Sequence, residues 1–384
     1  MRLVVLLGSG ASVSAGMPKV DDITKRVLSG DRVFRHSDRI FYLVDEIAAH
    51  HDVEPVQAVV TFLHELKLIC DAYFAVHDPE RVTNYEDLAY FARQIDDAIG
   101  FEYENPALAP LIEKLVGGAY PGRNLLELRD IASEAADYIE DVVCGLLGGP
   151  LNDLSYLAPI SDAFADGGVE QLDLFTLNHD RVFPTWLREQ RIAYSDGFER
   201  EHGTLQLWQD TYATPNRRLF NLHGSIDWYR YNLELDGWSG QITARVDSDP
   251  TSAHGPGGEL LGYPAGGRPR LLTGTFNKIL NYPSDVFADQ HFRFHEALAA
   301  ADRVLVIGYG FRDKAINSRL IAWAVRPGQR RMVVAHRDPY GAGAGARGAI
   351  AQKWDRWEKS GVLAFVPRHL EGTTWAEMRE KLTP

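Results

Sequence analysis

The 384-residue chain has few cysteines and less positive than negative charge. Its two cysteines, Cys70 and Cys144, are far apart, and no Cys-x-x-Cys pair occurs. The sequence therefore supports neither a zinc site built on that spacing nor a disulfide framework. Lys and Arg number 40 against 53 Asp and Glu, which gives a formal net charge of −13. This balance argues against a chain that binds nucleic acid by itself, since phosphate binding needs clustered cations.

Long apolar runs are also missing. No run approaches about 18 residues, so the sequence predicts no transmembrane helix. The apolar start is interrupted after five residues by Gly8-Ser9-Gly10, unlike the long apolar region of a signal peptide. We therefore expect a cytoplasmic protein. A hydrophobic content of 45% with 24% charged residues is ordinary for a globular chain that buries a core.

The most informative stretch lies at the start of the sequence. Leu3-Val4-Val5-Leu6-Leu7 is typical of a buried parallel strand, and it leads directly into Gly8-Ser9-Gly10-Ala11-Ser12. Glycines 8 and 10 allow positive φ and the close approach of a backbone or a phosphate. Backbone N–H groups at a following helix start would form a seat for a pyrophosphate. Val13 stands where the strict dinucleotide fingerprint has a third glycine, so an ordinary strand-to-helix turn remains the alternative.

A helical segment and then alternating strands and helices follow this loop. Residues 19 to about 165 are predicted to be mainly helical, with apolar spacing of helical type at 41–50, 56–74, 84–91 and 124–147. Later strands are predicted at 169–175, 218–222, 271–275, 303–307, 331–336 and 362–366, with helices at 181–189, 289–300 and 315–324. The alternation predicts an α/β fold with a mostly parallel sheet and helices on both faces. We assign residues 1–30 and 165–384 to the sheet domain and residues 31–164 to a helical insertion.

Polar side chains follow several of these strands. Thr176-Leu177-Asn178-His179-Asp180 follows the strand at 169–175, and His223-Gly224 follows the next one. The strand at 303–307 leads into Gly308-Tyr309-Gly310, which repeats the pattern at the start of the chain. Ligands bind at the carboxyl ends of the strands in open α/β sheets. A lone histidine is more often a core or surface residue, but the strand-end placement predicts a shared ligand-binding edge.

Five stretches occur in an order that is specific as a set. They are Gly8-Ser9-Gly10-Ala11-Ser12 with Gly16-Met17-Pro18, Thr176-Leu177-Asn178-His179-Asp180, Asp196-Gly197-Phe198, Leu222-His223-Gly224-Ser225-Ile226-Asp227-Trp228, and Gly308-Tyr309-Gly310-Phe311-Arg312-Asp313 with Asn317. In this order they resemble the sirtuin-like NAD-hydrolysing domains of bacterial anti-phage defence systems. The resemblance implies a Rossmann-like sheet with a smaller insert.

The resemblance also implies roles for individual residues. Asn178 and His223 would be the catalytic pair, and Asp180 would support the nicotinamide-ribose end. The residues implied to bind NAD are Gly8, Ser9, Gly10, Ala11, Ser12, Thr176, Gly308, Tyr309, Gly310 and Asn317. Among them the first glycine loop would hold the pyrophosphate, while the second loop with Asn317 would lie toward the adenosine. His179 stands where the family usually has tyrosine or isoleucine; we interpret it as structural or peripheral, although it is a competing base.

Two departures separate the chain from the sirtuin deacylases that share the NAD site. Deacylases typically carry a four-cysteine zinc module, which two cysteines cannot build. They also commonly have Asp-Phe-Arg after the first motif, where this chain has Lys19-Val20-Asp21-Asp22. Both departures favour an NAD hydrolase with no zinc. A deacylase or ADP-ribosyl transferase, and a sensor subunit that binds NAD without consuming it, remain as alternatives.

His223 and Asn178 have the chemical properties that cleavage of the nicotinamide–ribose bond needs. The nicotinamide group is already cationic while it is bound to the ribose of NAD, so little acid catalysis is needed for it to leave at the oxocarbenium-like transition state. Neutral His223 can accept a proton from water or a ribose hydroxyl at neutral pH. Asn178 offers both a donor and an acceptor for the ribose or the water.

An unrestrained NAD hydrolase would poison its own cell, so we expect activation by a partner or by assembly into a homo-oligomer. In the family, such chains are paired with a HerA-type ring ATPase or with a short Argonaute-type protein, and we expect the first. The helical insertion is a candidate assembly surface, and no direct nucleic-acid or membrane binding is expected.

Overall fold

The computed structural model describes residues 1–43, 53–78, 80–100, 105–119, 124–235, 237–274, 278, 282 and 284–383. The strands are β1 Arg2–Leu7, β2 Val33–His36, β3 Phe41–Leu43, β4 Val53–Pro55, β5 Gln171–Thr176, β6 Arg200–His202, β7 Leu205–Leu207, β8 Arg217–Asn221, β9 Trp228–Leu235, β10 Trp238–Arg245, β11 Arg303–Ile307, β12 Arg331–Ala335 and β13 Leu363–Val366. The α-helices are α1 Val20–Ser29, α2 Gln57–His77, α3 Tyr85–Gly100, α4 Ala109–Lys114, α5 Leu125–Leu147, α6 Ala158–Ala165, α7 Val182–Glu189, α8 Asp285–Ala300, α9 Lys314–Ala324, α10 Pro339–Ala344, α11 Trp354–Lys359 and α12 Trp375–Leu382. Within these described residues, no helix has the length and apolarity needed to cross a membrane.

The central sheet contains six parallel strands in the order β13-β12-β11-β1-β5-β8. Numbered by their own sequence order, these strands run 6-5-4-1-2-3, which is the doubly wound Rossmann order. The order reverses between β1 and β11, so the topological switch point lies between these two strands. Ligands bind outside the carboxyl ends of the strands at such a point. The predicted Rossmann-like α/β fold is confirmed.

The middle of the sheet is apolar on both faces. Every side chain from Leu3 to Leu7 is at most 1% exposed. A strand with helices on both sides needs such a continuous apolar run, because neither of its faces meets water. Each fully buried valine or leucine stabilises the fold by about 1.5–3 kcal/mol. Phe175 of β5 and Phe220 of β8 extend this core, with stacked rings whose centroids lie 4.6 Å apart.

The chain divides into two compact units. The first comprises Met1–Met17, Pro150–Leu271 and Asn281–Pro384, and the second comprises Pro18–Gly149 and Leu272–Leu280. The first unit holds the six-stranded sheet and a four-stranded antiparallel sheet in the order β6-β7-β10-β9. The second unit holds α1 to α5 and a three-stranded sheet in the order β3-β2-β4.

The second unit is mainly helical, and its helix starts follow from local sequence. The Asn84 side chain accepts a hydrogen bond from the Glu86 N–H at 2.9 Å, and the Asn124 side chain accepts one from the Glu127 N–H at 2.9 Å. Asparagine at such a position satisfies N–H groups that have no partner in the first helical turn. The helix starts predicted at 84 and 124 are confirmed.

Two predicted elements differ in the structure. Phe41–Leu43, predicted as the start of a helix over 41–50, is a strand paired antiparallel with β2, while 44–50 lie outside the described residues. Tertiary contacts select the strand, because the Phe41 N–H donates to Asp141 at 3.0 Å and its ring packs edge-on against Tyr138. The strand predicted at 271–275 is a single antiparallel bridge between Leu271 and Gly224, and position 275 lies outside the described residues.

Candidate active site

Two glycine loops meet at the switch point of the central sheet. The first follows β1, the second follows β11, and the Gly10 N–H donates to the Gly308 carbonyl at 3.0 Å. Gly308 has a φ of 61°, and a Cβ there would lie 2.3 Å from the Ala11 nitrogen. A Cβ on Gly10 would lie 2.8 Å from the Gly308 oxygen. The structure therefore needs these glycines because the two loops pack backbone against backbone.

The first glycine loop does not lead directly into an α-helix, which corrects the sequence-based expectation. Ser9–Ala11 form a single 3-10 turn, and α1 begins only at Val20. Gly16 adopts a φ of 91°, and Pro18 disfavours helical geometry at the residue before it. The expected helix N-terminus is therefore displaced along the chain from the loop. The N–H groups of Gly8, Gly10, Ala11 and Ser12 all donate to backbone carbonyls.

Asn178 and Asp180 lie beyond the carboxyl end of β5, and both are buried. The Asn178 amide donates to the Gly8 carbonyl at 3.2 Å and to the Ser12 hydroxyl at 2.9 Å. Oδ1 of Asp180 accepts the Val182 N–H at 3.0 Å. Burial raises the pKa of the Asp180 carboxyl, while the bonds from Val182 and Ser12 oppose that rise. Two hydrogen bonds from Asn178 thus join the end of β5 to the first glycine loop.

His223 lies two residues beyond β8 and is 3% exposed. Its Nδ1 lies 3.1 Å from the Leu177 carbonyl oxygen, and because a carbonyl can only accept, Nδ1 carries a proton. Its Nε2 lies 3.3 Å from Oδ2 of Asp313. Both ring nitrogens therefore face protein groups. Nε2 can act as a base only when it carries no proton and is released from Asp313.

Asp313 begins helix α9 and connects it to His223. Its Oδ1 accepts the N–H groups of Ala315 at 2.9 Å and Ile316 at 3.1 Å. Its Oδ2 accepts the Tyr282 hydroxyl at 2.9 Å. An aspartate before a helical stretch predicts a cap. The sequence contains no signal that the other oxygen reaches a histidine about 90 positions earlier, so it predicts no catalytic role for Asp313.

Tyr282 and His291 form a cluster with His223 and Asp313. The sequence alone did not indicate either of them as a site residue. The Tyr282 ring stacks on His291 with centroids 3.7 Å apart, and the His291 Nε2 lies 3.2 Å from the Leu222 carbonyl. Burial, with smaller contributions from His223 and Arg319, lowers the pKa of His291 to about 3. His291 is therefore neutral at physiological pH. Burial and the Asp313 carboxylate raise the pKa of Tyr282, so its hydroxyl stays a donor.

Tyr309 and Asn317 support the second glycine loop from within. The Tyr309 hydroxyl donates to the Asn317 side chain at 3.0 Å and accepts the Asp313 N–H at 3.2 Å. The Asn317 amide donates to the carbonyls of Phe311 at 2.7 Å and Arg347 at 2.9 Å. Phe311 needs this support because it holds a φ of 55°, which is strained for a bulky residue. A Cβ on Gly310 would meet no atom within 4 Å.

Thr176 and His179 have contacts that order the end of β5. The Thr176 hydroxyl accepts the Asn178 N–H at 3.0 Å, which fixes the turn that presents Asn178. The His179 carbonyl accepts the Ile226 N–H at 3.0 Å, and the His179 ring centroid lies 6.2 Å from that of His223. The Leu222 N–H donates to the Thr176 carbonyl, so the ends of β5 and β8 lie side by side. The predicted catalytic residues from the two strands are therefore brought to one edge.

Two cavities lie elsewhere in the first unit. One of about 260 Å³ lies between α8 and α9 and is lined by His295, Arg319 and Arg326, among others. The other, of about 20 Å³, is lined by residues that include Asp227 and Arg245. Neither is lined by the glycine loops, Asn178 or His223. In the part of the chain that the structure describes, no group of three or more His, Cys, Asp or Glu side chains could hold a metal ion.

Comparisons with known proteins leave the family open. No protein-family model and no curated protein matches the sequence. Among solved structures, the chain is similar to a Sir2 homologue in complex with ADP-ribose, at 14% identity over 93% of this chain and 90% of that one, with a TM-score of 0.32. It is also similar to a Sir2 homologue–NAD complex (13%, 93% and 88%, TM-score 0.33) and to Sir2Tm bound to a propionylated peptide (12%, 94% and 93%, TM-score 0.33). Likeness at this level adds no support to a function.

Proposed function

We propose that the chain is a sirtuin-like NAD glycohydrolase that cleaves NAD to nicotinamide and ADP-ribose without zinc. The observation that supports this most is the pair of hydrogen bonds from the Asn178 amide to the Gly8 carbonyl and the Ser12 hydroxyl, which join the end of β5 to a glycine loop at the switch point of the sheet. His223 stands at the adjacent strand end. The residues that the motif resemblance implies for catalysis therefore converge where a doubly wound sheet binds nucleotides.

The reaction breaks the bond between C1′ of the ribose and the nicotinamide nitrogen. Nicotinamide leaves with the bonding electron pair as a neutral molecule, and a water oxygen adds to the oxocarbenium-like C1′. The water proton passes to Nε2 of His223. Both amide hydrogens of Asn178 point to protein acceptors, which leaves its Oδ1 as the atom to accept a hydrogen bond from the water or a ribose hydroxyl.

A pyrophosphate bound by the Gly10 N–H would require the two glycine loops to separate from the arrangement described above. The N–H of Gly10 donates to Gly308, so it reaches a pyrophosphate only when that bond opens. The exposed Ser9 offers its hydroxyl without such a change. We infer that four of the other implied NAD residues, Thr176, Tyr309, Gly310 and Asn317, order and shape the adenosine and ribose parts of the site.

The first test is NAD turnover by the purified chain, with nicotinamide and ADP-ribose resolved by chromatography. We expect His223→Ala and Asn178→Ala each to lower turnover by about 10²–10⁴-fold, the range for loss of a positioned general base. The control is His295→Ala, since His295 is exposed on α8 and lines a cavity apart from the site. Full activity in either site variant contradicts the proposal.

Two other outcomes would identify the alternatives. Acetyl-ADP-ribose formed from an acetylated peptide, or modified protein, would show a deacylase or ADP-ribosyl transferase. NAD that binds without nicotinamide release would show a sensor subunit. Neither acetyl-ADP-ribose nor modified protein forms when water hydrolyses NAD, and a sensor subunit releases no nicotinamide, so the three activities are distinguishable.

We further propose a cytoplasmic role as an NAD-depleting effector in anti-phage defence, activated by a HerA-type ATPase partner or by homo-oligomer assembly through residues 31–164. This rests on the motif resemblance and on the need to restrain an NAD hydrolase. Size-exclusion chromatography and the turnover assay, each with and without the partner, test it. A monomer with full activity on its own would contradict it.

A further inference from the structure

We propose that Asp313 is a positioning residue that holds His223 in its doubly protonated form and thereby sets the pH above which the chain hydrolyses NAD. This inference rests on the proposed NAD hydrolysis. Asp313 touches the proposed base and not the reacting atoms, so it acts through His223. The motif resemblance assigns it no role.

Two contacts of the His223 ring bear on its protonation state. Nδ1 faces the Leu177 carbonyl at 3.1 Å and must donate. Nε2 lies 3.3 Å from Oδ2 of Asp313, which is within ion-pair distance. A carboxylate this close stabilises the positive charge of an imidazolium. The surroundings therefore favour the charged ring, which cannot take a proton from water.

The start of helix α9 holds the Asp313 carboxylate in place. Its Oδ1 accepts two N–H groups from the first turn of that helix, and its Oδ2 accepts the Tyr282 hydroxyl. Hydrogen bonds to the charged form and the positive end of a helix both favour a carboxylate. The same contacts fix its position, so Oδ2 remains directed at the His223 ring.

Other titratable groups surround the pair from several elements. The His179 ring lies 6.2 Å from that of His223 after β5, and the Tyr282 ring lies 6.4 Å away before α8. His291 on α8 is neutral and Arg319 on α9 is cationic; both adjoin the cluster through their interactions with Tyr282 and each other. Arg319 opposes a second positive charge, whereas Asp313 favours one and is in contact with the ring. The contact with Asp313 therefore decides which protonation state of His223 is favoured, namely the charged one.

The protonation state of His223 determines how turnover depends on pH. The charged ring must lose its Nε2 proton before it can act as a base, so turnover rises with pH as His223 deprotonates. Because Asp313 favours the charged ring, removing its charge lowers the pH at which His223 deprotonates. The acid limb of the pH profile then moves to lower pH.

Asp313→Asn is the sharpest test because asparagine caps a helix as well as aspartate does. We expect the acid limb of kcat/KM to move down by at least about one pH unit, the size typical of an opposite charge at this distance. Tyr282→Phe removes a hydrogen-bond donor from the Asp313 carboxylate, and we expect it to move the acid limb to higher pH. Thr374→Ala removes the side-chain cap of α12 instead and leaves the limb unmoved.

A second readout needs no NAD. The His223 imidazole signals, identified by their loss in His223→Ala, are titrated by NMR in the ligand-free full chain and in Asp313→Asn. A midpoint that falls in Asp313→Asn supports the inference. If that midpoint falls but wild-type protein releases no nicotinamide, the proposed function fails and the pairing stands. If wild-type protein hydrolyses NAD and neither the midpoint nor the acid limb moves in Asp313→Asn and Tyr282→Phe, the inference is overturned.

Discussion

Asp180 is a carboxyl group that the fold encloses almost completely, at 5% exposure, and burial raises its pKa. Below the ordinary value of about 3.9 an aspartate is protonated in both the folded and the unfolded chain. As the pH rises above that value, the unfolded chain releases the proton while folded Asp180 keeps it. The free energy of unfolding therefore falls with rising pH until the folded group also ionises.

Asp180→Asn removes this titration while keeping a similar shape. We expect the difference in free energy of unfolding to shift in favour of the variant as the pH rises from about 4, because only the wild type loses stability through this group. Urea unfolding at a series of pH values measures the difference. Asp162→Asn, on an exposed position of α6, is the matched control and should show a constant difference. A constant difference for Asp180→Asn as well would contradict the enclosed, proton-retaining state.

At the scale of elements, the contact between the two glycine loops predicts that two substitutions in the second loop lower the free energy of unfolding by different amounts. Gly308→Ala places a methyl group 2.3 Å from the Ala11 nitrogen at a φ of 61°. The left-handed conformation alone costs about 1–2 kcal/mol for a non-glycine residue, and the clash adds to it. Gly310→Ala meets no atom within 4 Å and is the control. Unfolding by urea measures both, and equal stability of the two variants would show that the loops do not pack as described.

The same loops show how far the sequence alone predicts these elements. The strands β1 and β11 were predictable because a strand buried on both faces needs a continuous apolar run. The start of α1 near residue 19 was predictable, whereas its separation from the glycine loop was not, because Gly16 and Pro18 act through local dihedrals that the glycine spacing does not reveal. The pairing of Asp313 with His223 was not predictable, since it depends on where α9 begins relative to β8 in space. Local patterns therefore predict which residues reach the edge of the sheet, and tertiary packing decides which of them touch.

On the scale of the whole molecule, the strand order places the two glycine loops side by side at the switch point although almost 300 residues separate them in sequence. A ligand that binds there stabilises the folded chain as a whole. One that binds only the folded state, at 100 times its dissociation constant, adds about 2.7 kcal/mol to the free energy of unfolding. ADP-ribose carries the pyrophosphate and adenosine and is not consumed, so it is the appropriate ligand for an equilibrium measurement.

Gly310→Ala should affect ADP-ribose binding without affecting the stability of the ligand-free chain. Its added methyl group points into open space, so the ligand-free variant should be as stable as the wild type. If the adenosine lies against this loop, the same methyl group obstructs it, and the stabilisation by ADP-ribose should be largely lost. Gly240→Ala, in β10 and equally open, is the matched control and should keep the full stabilisation. Thermal unfolding with and without ADP-ribose measures all three chains, and an undiminished shift in Gly310→Ala would mean that the adenosine does not lie at the second glycine loop.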